Sequence, residues 1–182
     1  MLKFKLLSIT FLSSLSIASF AAATKVTNTP PSQDIRCTST VPDYSEKAKL
    51  RFIKEWATYV AQNSFNLNHD DLENHLKQLQ FCYSSSGWNQ FNQALHKSGN
   101  LNLINQHRLK ANTDVIGPIE VNHHPKYSSW TAMVPMRVVY QNQNQRISQE
   151  MNVHLTINQQ SDNHLAVIQI VGRPADKKLP SP

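Results

Sequence analysis

Two stretches of strict alternation constrain this chain more than any other feature in it. In the first, Trp130, Ala132, Val134, Met136, Val138 and Tyr140 fall at every second position, with Thr131 and Arg137 between them. In the second, Ile147, Met151, Val153, Leu155 and Ile157 alternate with Arg146, Ser148, Glu150, Asn152, His154 and Thr156. Successive side chains on a strand point to opposite faces, so each stretch predicts a strand with one buried and one solvated side. That one-sided pattern belongs to antiparallel sheets. The run Leu165 to Val171 predicts a final strand, and an earlier one covers roughly 109–121. The earlier strand is interrupted at Gly117-Pro118, where a bulge or bend is expected. Pro135 has no N–H to give to a ladder and marks an edge position or a bulge.

The sheet-forming half follows a half with helical period. Ile53, Trp56, Ala57, Val60 and Ala61 recur at helical spacing to about Asn63, with Phe52 and Tyr59 widening the apolar face. Asp43 is placed to cap this helix, with Glu46 completing a capping-box-like pair. A second helix is expected over 69–80, capped by Asn68 and striped by Leu72, Leu76 and Leu79. A third spans Gly87 to Lys97, where Trp88, Phe91 and Leu95 share one face. Ser85 or Ser86 serves as its cap, and Gly99 stands where a left-handed residue would end it. One short turn is expected around Leu101 to Ile104. Three helices followed by a four-stranded antiparallel meander make an α+β domain, helices on one face of a curved sheet.

The first residues speak to destination. Lys3 and Lys5 precede an apolar run from Leu6 to Phe20, and Ala21-Ala22-Ala23 offers small residues for cleavage, the pattern of a secretory signal peptide. The run is diluted by serines and falls short of the roughly 20 apolar residues of a spanning helix, so a cleaved leader over 1–23 is favoured over an anchor. A polar arm follows over 24–43, then a domain over 44–173 and a tail over 174–182. About 159 residues remain after cleavage, enough for one domain with a real core. The formal charge of +6 is scattered and shrinks when Lys3 and Lys5 are removed, so no nucleic-acid footprint is supported. The two cysteines, Cys37 and Cys82, predict one disulfide in an exported protein. Closing a loop of about 45 residues stabilises by roughly 4 kcal/mol in the chain-entropy account.

Little in the chain carries chemistry. There is no G-x-S-x-G, no P-loop and no dinucleotide fingerprint. Asp43, Glu46, Asp70 and Asp71 sit at helix starts, where capping accounts for them; Glu120 and Glu150 lie on strands. His123 and His124 are adjacent and diverge, His69 and His75 do not share a helical face, and His154 and His164 flank a hairpin with no third ligand implied. No metal, cofactor or catalytic residue is therefore assigned. Trp56, Trp88 and Trp130 each fall on the apolar phase of their element and are read as core.

An ordered series of residues resembles a known family. It runs from Trp56 through Ser64-Phe65-Asn66, Phe81, Gly87-Trp88-Asn89-Gln90-Phe91, Leu95 and Ser98. It continues with Trp130, the Val134-Pro135-Met136 to Val139-Tyr140 strand and Ile168-Gln169-Ile170. Over about residues 48–171 the chain is similar to the DotI/IcmL family of type IVB secretion systems, with TraM of conjugation systems as a relative. The resemblance implies a periplasmic domain of the cone-like type shared with nuclear transport factor 2. It also implies a non-enzymatic scaffold role, partners among other secretion-system proteins, and homo-oligomers. Trp56, Phe65, Phe81, Gly87, Trp88, Phe91, Trp130 and Tyr140 become the family-pattern core. The leader departs from the family's membrane-anchored form, so no stable anchor is expected once it is cut, and the arm is a candidate partner-reaching segment. Two other readings stay open: a small-molecule-binding or isomerase-like protein using the open end of the cone, and an exported effector.

Overall fold

The computed structural model describes residues 35–43 and 45–175, all within one compact unit. The expected leader, most of the arm and the tail beyond 175 lie outside the described residues. Four helices come first: α1 (Glu46–Phe65), α2 (Leu72–Leu79), α3 (Ser85–Lys97) and α4 (Asn100–Gln106). Five strands follow: β1 (Lys110–Val115), β2 (Glu120–His124), β3 (Ser129–Gln141), β4 (Arg146–Gln159) and β5 (Leu165–Pro174). They form one antiparallel sheet in the order β1–β3–β4–β5, with β2 also paired to β3. The α+β architecture, with helices on an antiparallel sheet, is the one read from the residue pattern.

The alternating positions make the core. Ala132, Val134, Met136 and Val138 of β3, and Met151, Val153, Leu155 and Ile157 of β4, are buried beneath α1, whose Ile53, Trp56, Ala57 and Val60 are themselves sealed from solvent. The interrupted first strand is β1 and β2, which share one edge of β3. Residues 116–119 there oppose only Pro135 and Val134, since Val115 pairs with Met136 and Glu120 with Met133. The Ile116 N–H donates to the Pro135 carbonyl at 3.0 Å. A strand residue's N–H and C=O point to the same neighbour, so the N–H that Pro135 lacks would have pointed into this break. A central strand thereby holds a proline opposite a bulge. A second irregularity lies between Thr156 and Ile157, where the β4–β5 register shifts.

Helix starts differ in detail from the expected ones. The cap of α3 is Ser84, whose Oγ accepts from the Gly87 N–H at 3.1 Å, not Ser85 or Ser86, which lie inside the helix. The capping box expected from Asp43 and Glu46 is not formed: Ser45 holds the cap position and Glu46 reaches Lys49 instead. Asn68 closes a turn ahead of α2, accepting from the Asp70 N–H, and this delays the helix to Leu72. Gly99 is left-handed as expected (φ 73°), and it leads directly into α4, a helix where only a short turn was expected.

Residues 35–43 form a strap across the helical layer. The Cys37–Cys82 disulfide holds one end, and the Val41 N–H donates to the Asn163 carbonyl at the other, at 3.0 Å. Beside the disulfide the buried Trp56 indole donates to the Arg36 carbonyl at 3.1 Å. A buried indole N–H requires such a partner, and the strap supplies it.

The start of α3 rests on the backbone of β5. Tyr83 bridges Val167, the Ser84 N–H donates to the Val167 carbonyl at 3.0 Å, and a Cβ at Gly87 would run into that same carbonyl oxygen. Gly87→Ala should therefore destabilise the domain by about 2 kcal/mol, the range of an overpacked core. A downward shift of the urea midpoint with unchanged slope checks this; an unchanged midpoint would show that the helix shifts freely.

Candidate functional site: an apolar groove between helices and sheet

The helical layer covers the sheet incompletely. At the end of β4 that leads out of the β3–β4 hairpin, the inward-facing positions have no helix above them. Ile147, expected in the core from its phase, is 54% exposed for that reason, and Leu103 of α4 across from it is 49% exposed. Between them runs a groove of about 470 Å³. Phe65, Phe91, Leu95 and Ile104 form its helical side, and Tyr140, Met151, Ile170 and Gly172 its sheet side. Gly172 keeps the floor open to the Phe65 ring, which a Cβ there would approach at 3.2 Å.

The family-pattern residues divide by location. Trp56, Gly87, Phe91 and Trp130 are buried, and Phe65, Trp88 and Tyr140 are half-buried. Phe65, Phe91 and Tyr140 come together in the groove. Phe81 is the exception: it is 66% exposed, which corrects its assignment to the core. It sits in a single 3-10 turn, Gln80–Cys82, in which the adjacent Cys82 is held inward by the disulfide, so Phe81 is turned out. His123 lies flat on Trp130, ring centroids 5.0 Å apart. His154 pairs with Val171 and does not meet His164, which bridges Thr40.

Beneath the groove lies a group that periodicity does not single out. Tyr83 is buried, stacks on Phe91 at 5.1 Å and meets Trp88 edge-on at 5.8 Å. Ser64 Oγ donates to the Val60 carbonyl at 2.7 Å, so the Tyr83 hydroxyl donates to Ser64 across 2.6 Å. Burial pushes the Tyr83 phenol well above the ordinary tyrosine range and also raises Tyr140. Among the described residues no carboxylate, histidine or cysteine lines the groove. Its polar groups are hydroxyls and amides, with both tyrosines held neutral. The arrangement suits the burial of an apolar partner surface and offers no tuned acid or base near neutral pH. No group of three or more potential metal ligands gathers among the described residues.

The Tyr83 shift carries a pH dependence. The folded state holds the phenolic proton more tightly than the unfolded chain, so this contribution is complete below pH 10 and falls as pH rises above it. Tyr83→Phe should flatten part of that alkaline loss while costing about 1 kcal/mol at neutral pH for the lost hydrogen bond. Urea unfolding at several pH values between neutral and strongly alkaline reads both effects, and parallel curves for the two proteins would refute the assignment.

Comparison with known proteins bears on what this scaffold is. A family model described as "Type-IV b secretion system, inner-membrane complex component" matches residues 16–173. Among solved structures, an IcmL-like type IV secretion system protein of Legionella pneumophila superposes with a TM-score of 0.65 at 18% identity, covering 71% of this chain and 95% of its own. The periplasmic domain of DotI superposes at 0.64 with 23% identity, covering 69% and 95%. A periplasmic fragment of TraM gives 0.57 with 20% identity, covering 72% and 99%. At these identities the superpositions establish a shared fold. No curated protein sequence matches the chain.

Proposed function

The chain belongs to the DotI/IcmL family of type IVb secretion inner-membrane complex components, and from that premise we propose that it is a non-enzymatic periplasmic scaffold or accessory protein of such a system. It acts by association with other secretion-system proteins and with copies of itself. The observation that carries this reading is the groove: an apolar recess with Ile147 and Leu103 exposed at its mouth and, among the described residues, no acid, base or thiol in its wall. Exposed apolar patches on an otherwise polar surface mark association sites. The same lining weighs against the isomerase-like reading, which needs a carboxylate or histidine in a dry pocket.

Ile147→Glu and Leu103→Glu place charges at the mouth, where both side chains already meet water, so folding should be spared. Each should abolish co-purification of secretion-system components from cells that express them, with an unchanged thermal midpoint. Retention of every partner by both variants would exclude the groove as the contact surface.

In this reading residues 1–23 are a cleaved leader and the polar arm connects the export signal to the domain. No helix among the described residues is long and apolar enough to cross a membrane. N-terminal sequencing of the protein recovered from the periplasm should begin near Ala22 or Thr24. Recovery of intact Met1 in the membrane fraction would make the segment an anchor.

A further inference from the structure

At the end of the sheet beside the groove, three loops gather around a polar recess of about 590 Å³. The α1–α2 loop contributes His69 and Asp70, the α4–β1 turn contributes His107 and Arg108 with Lys110 at the start of β1, and the β3–β4 hairpin contributes its run of amides. The loops are fastened to one another. Asn142 Nδ2 donates to the His107 carbonyl at 2.7 Å, while its Oδ1 accepts from the N–H groups of Asn144 and Gln145, both at 2.9 Å. The His69 N–H donates to the Leu109 carbonyl at 3.3 Å, and Asn68 bridges Lys110. Binding residues on loops held by a rigid scaffold are a common arrangement for recognition.

Arg108 is the telling residue. Helix α4 ends in a Schellman motif: the Leu109 N–H reaches the Ile104 carbonyl at 2.9 Å and the Arg108 N–H reaches that of Asn105 at 3.4 Å. Arg108 therefore occupies the left-handed position of that motif, with φ 49°. Glycine is the favoured residue there because it has no Cβ to clash. This chain accepts a strained arginine instead; its guanidinium makes no hydrogen bond or close ion pair among the described residues, and its charge reaches Asp70 only from beyond contact distance, as the weakest of the influences that hold that carboxyl below its ordinary range. The carboxylate that lines the recess among the described residues, Asp70, is already paired with Lys110 at 3.0 Å, and His69 Nε2 stands 2.8 Å from its other oxygen. Gln143 and Asn144 bring side-chain amides that likewise make no hydrogen bond among the described residues.

We propose that this recess docks a carboxylate-bearing peptide segment of a partner protein, with Arg108 as the carboxylate receptor and the hairpin amides as flanking donors. A guanidinium matches a carboxylate with two parallel hydrogen bonds. The recess is open and far larger than a free ion needs, which fits several residues of chain. The proposal rests on the association role above and names the chemistry of one partner contact. The groove variants test that role separately.

The test is fluorescence anisotropy of the full chain with labelled tetraglutamate and tetraglutamine peptides at low ionic strength. Tetraglutamate should bind about tenfold more tightly than tetraglutamine. Arg108→Gly should erase that preference while its thermal midpoint stays level or rises, because glycine relieves the left-handed strain. Lys97→Ala, on α3 outside the recess, should leave binding unchanged. Equal binding of the two peptides overturns the proposal, as does an Arg108→Gly protein that keeps the preference. So does an equal loss with Lys97→Ala, which would make the effect one of net charge. Oligogalacturonate or inorganic phosphate displacing the peptide more effectively than unlabelled tetraglutamate would overturn the peptide assignment in favour of a glycan or a phosphate.

Discussion

The six residues from Cys82 to Gly87 join the strap, α1, α3 and the sheet, and the placement of the helical layer depends on the contact they make with β5. Cys82 carries the disulfide that holds the strap. Tyr83 bridges Val167 and sends its hydroxyl to Ser64 on α1. Ser84 caps α3 with its side chain while its N–H meets the Val167 carbonyl. Gly87 lets the helix lie against that carbonyl without a Cβ between them. Backbone polar groups buried at an interface must be paired, and here one short segment pairs the helix start and part of the β5 edge together. The position of α3 on the sheet is therefore set by main-chain contact as well as by side-chain packing.

That placement has a consequence at the other end of the sheet. With α3 fixed over β5 and α1 lying against β1 to β4, the β3–β4 hairpin extends past the helical cover. Ile147 keeps its inward phase but meets solvent, and the groove opens between it and Leu103. Apolar surface of this kind costs solubility unless a partner covers it, at roughly 25 cal/mol per Å² left in water. The same hairpin overhang brings its amides against the α4–β1 turn through Asn142. One geometric fact, a hairpin longer than its helical cover, thus produces both the apolar groove and the polar recess beside it.

Much of this fold was legible from residue order. Alternation in β3 and β4 identified strands and their buried faces because a strand's side-chain period of two admits no other assignment over that many residues. The Gly117-Pro118 interruption identified the break, and the pair of cysteines identified the disulfide. The misreadings are local or concern cover. Three adjacent serines, Ser84 to Ser86, are chemically equivalent as caps, and only the docking of Ser84 on Val167 selects among them. Ile147 is apolar and in phase, and Phe81 is apolar and part of the family series, yet both meet solvent, because burial depends on what lies above a residue and not on its own pattern.

The amino-acid sequence by itself determined the first three helices, the one-sided sheet, the disulfide partners and the family to which the chain belongs, since each follows from local period, from there being two cysteines or from an ordered series of residues. Tertiary structure alone decided which apolar residues stay exposed, which hydroxyl meets the Tyr83 phenol, and that Arg108 stands in a glycine's place near an Asp70 already paired with Lys110. Those outcomes turn on separations between elements far apart in the chain. A helix stopping short of a hairpin, or a turn drawn against a loop, leaves no periodic trace in the sequence.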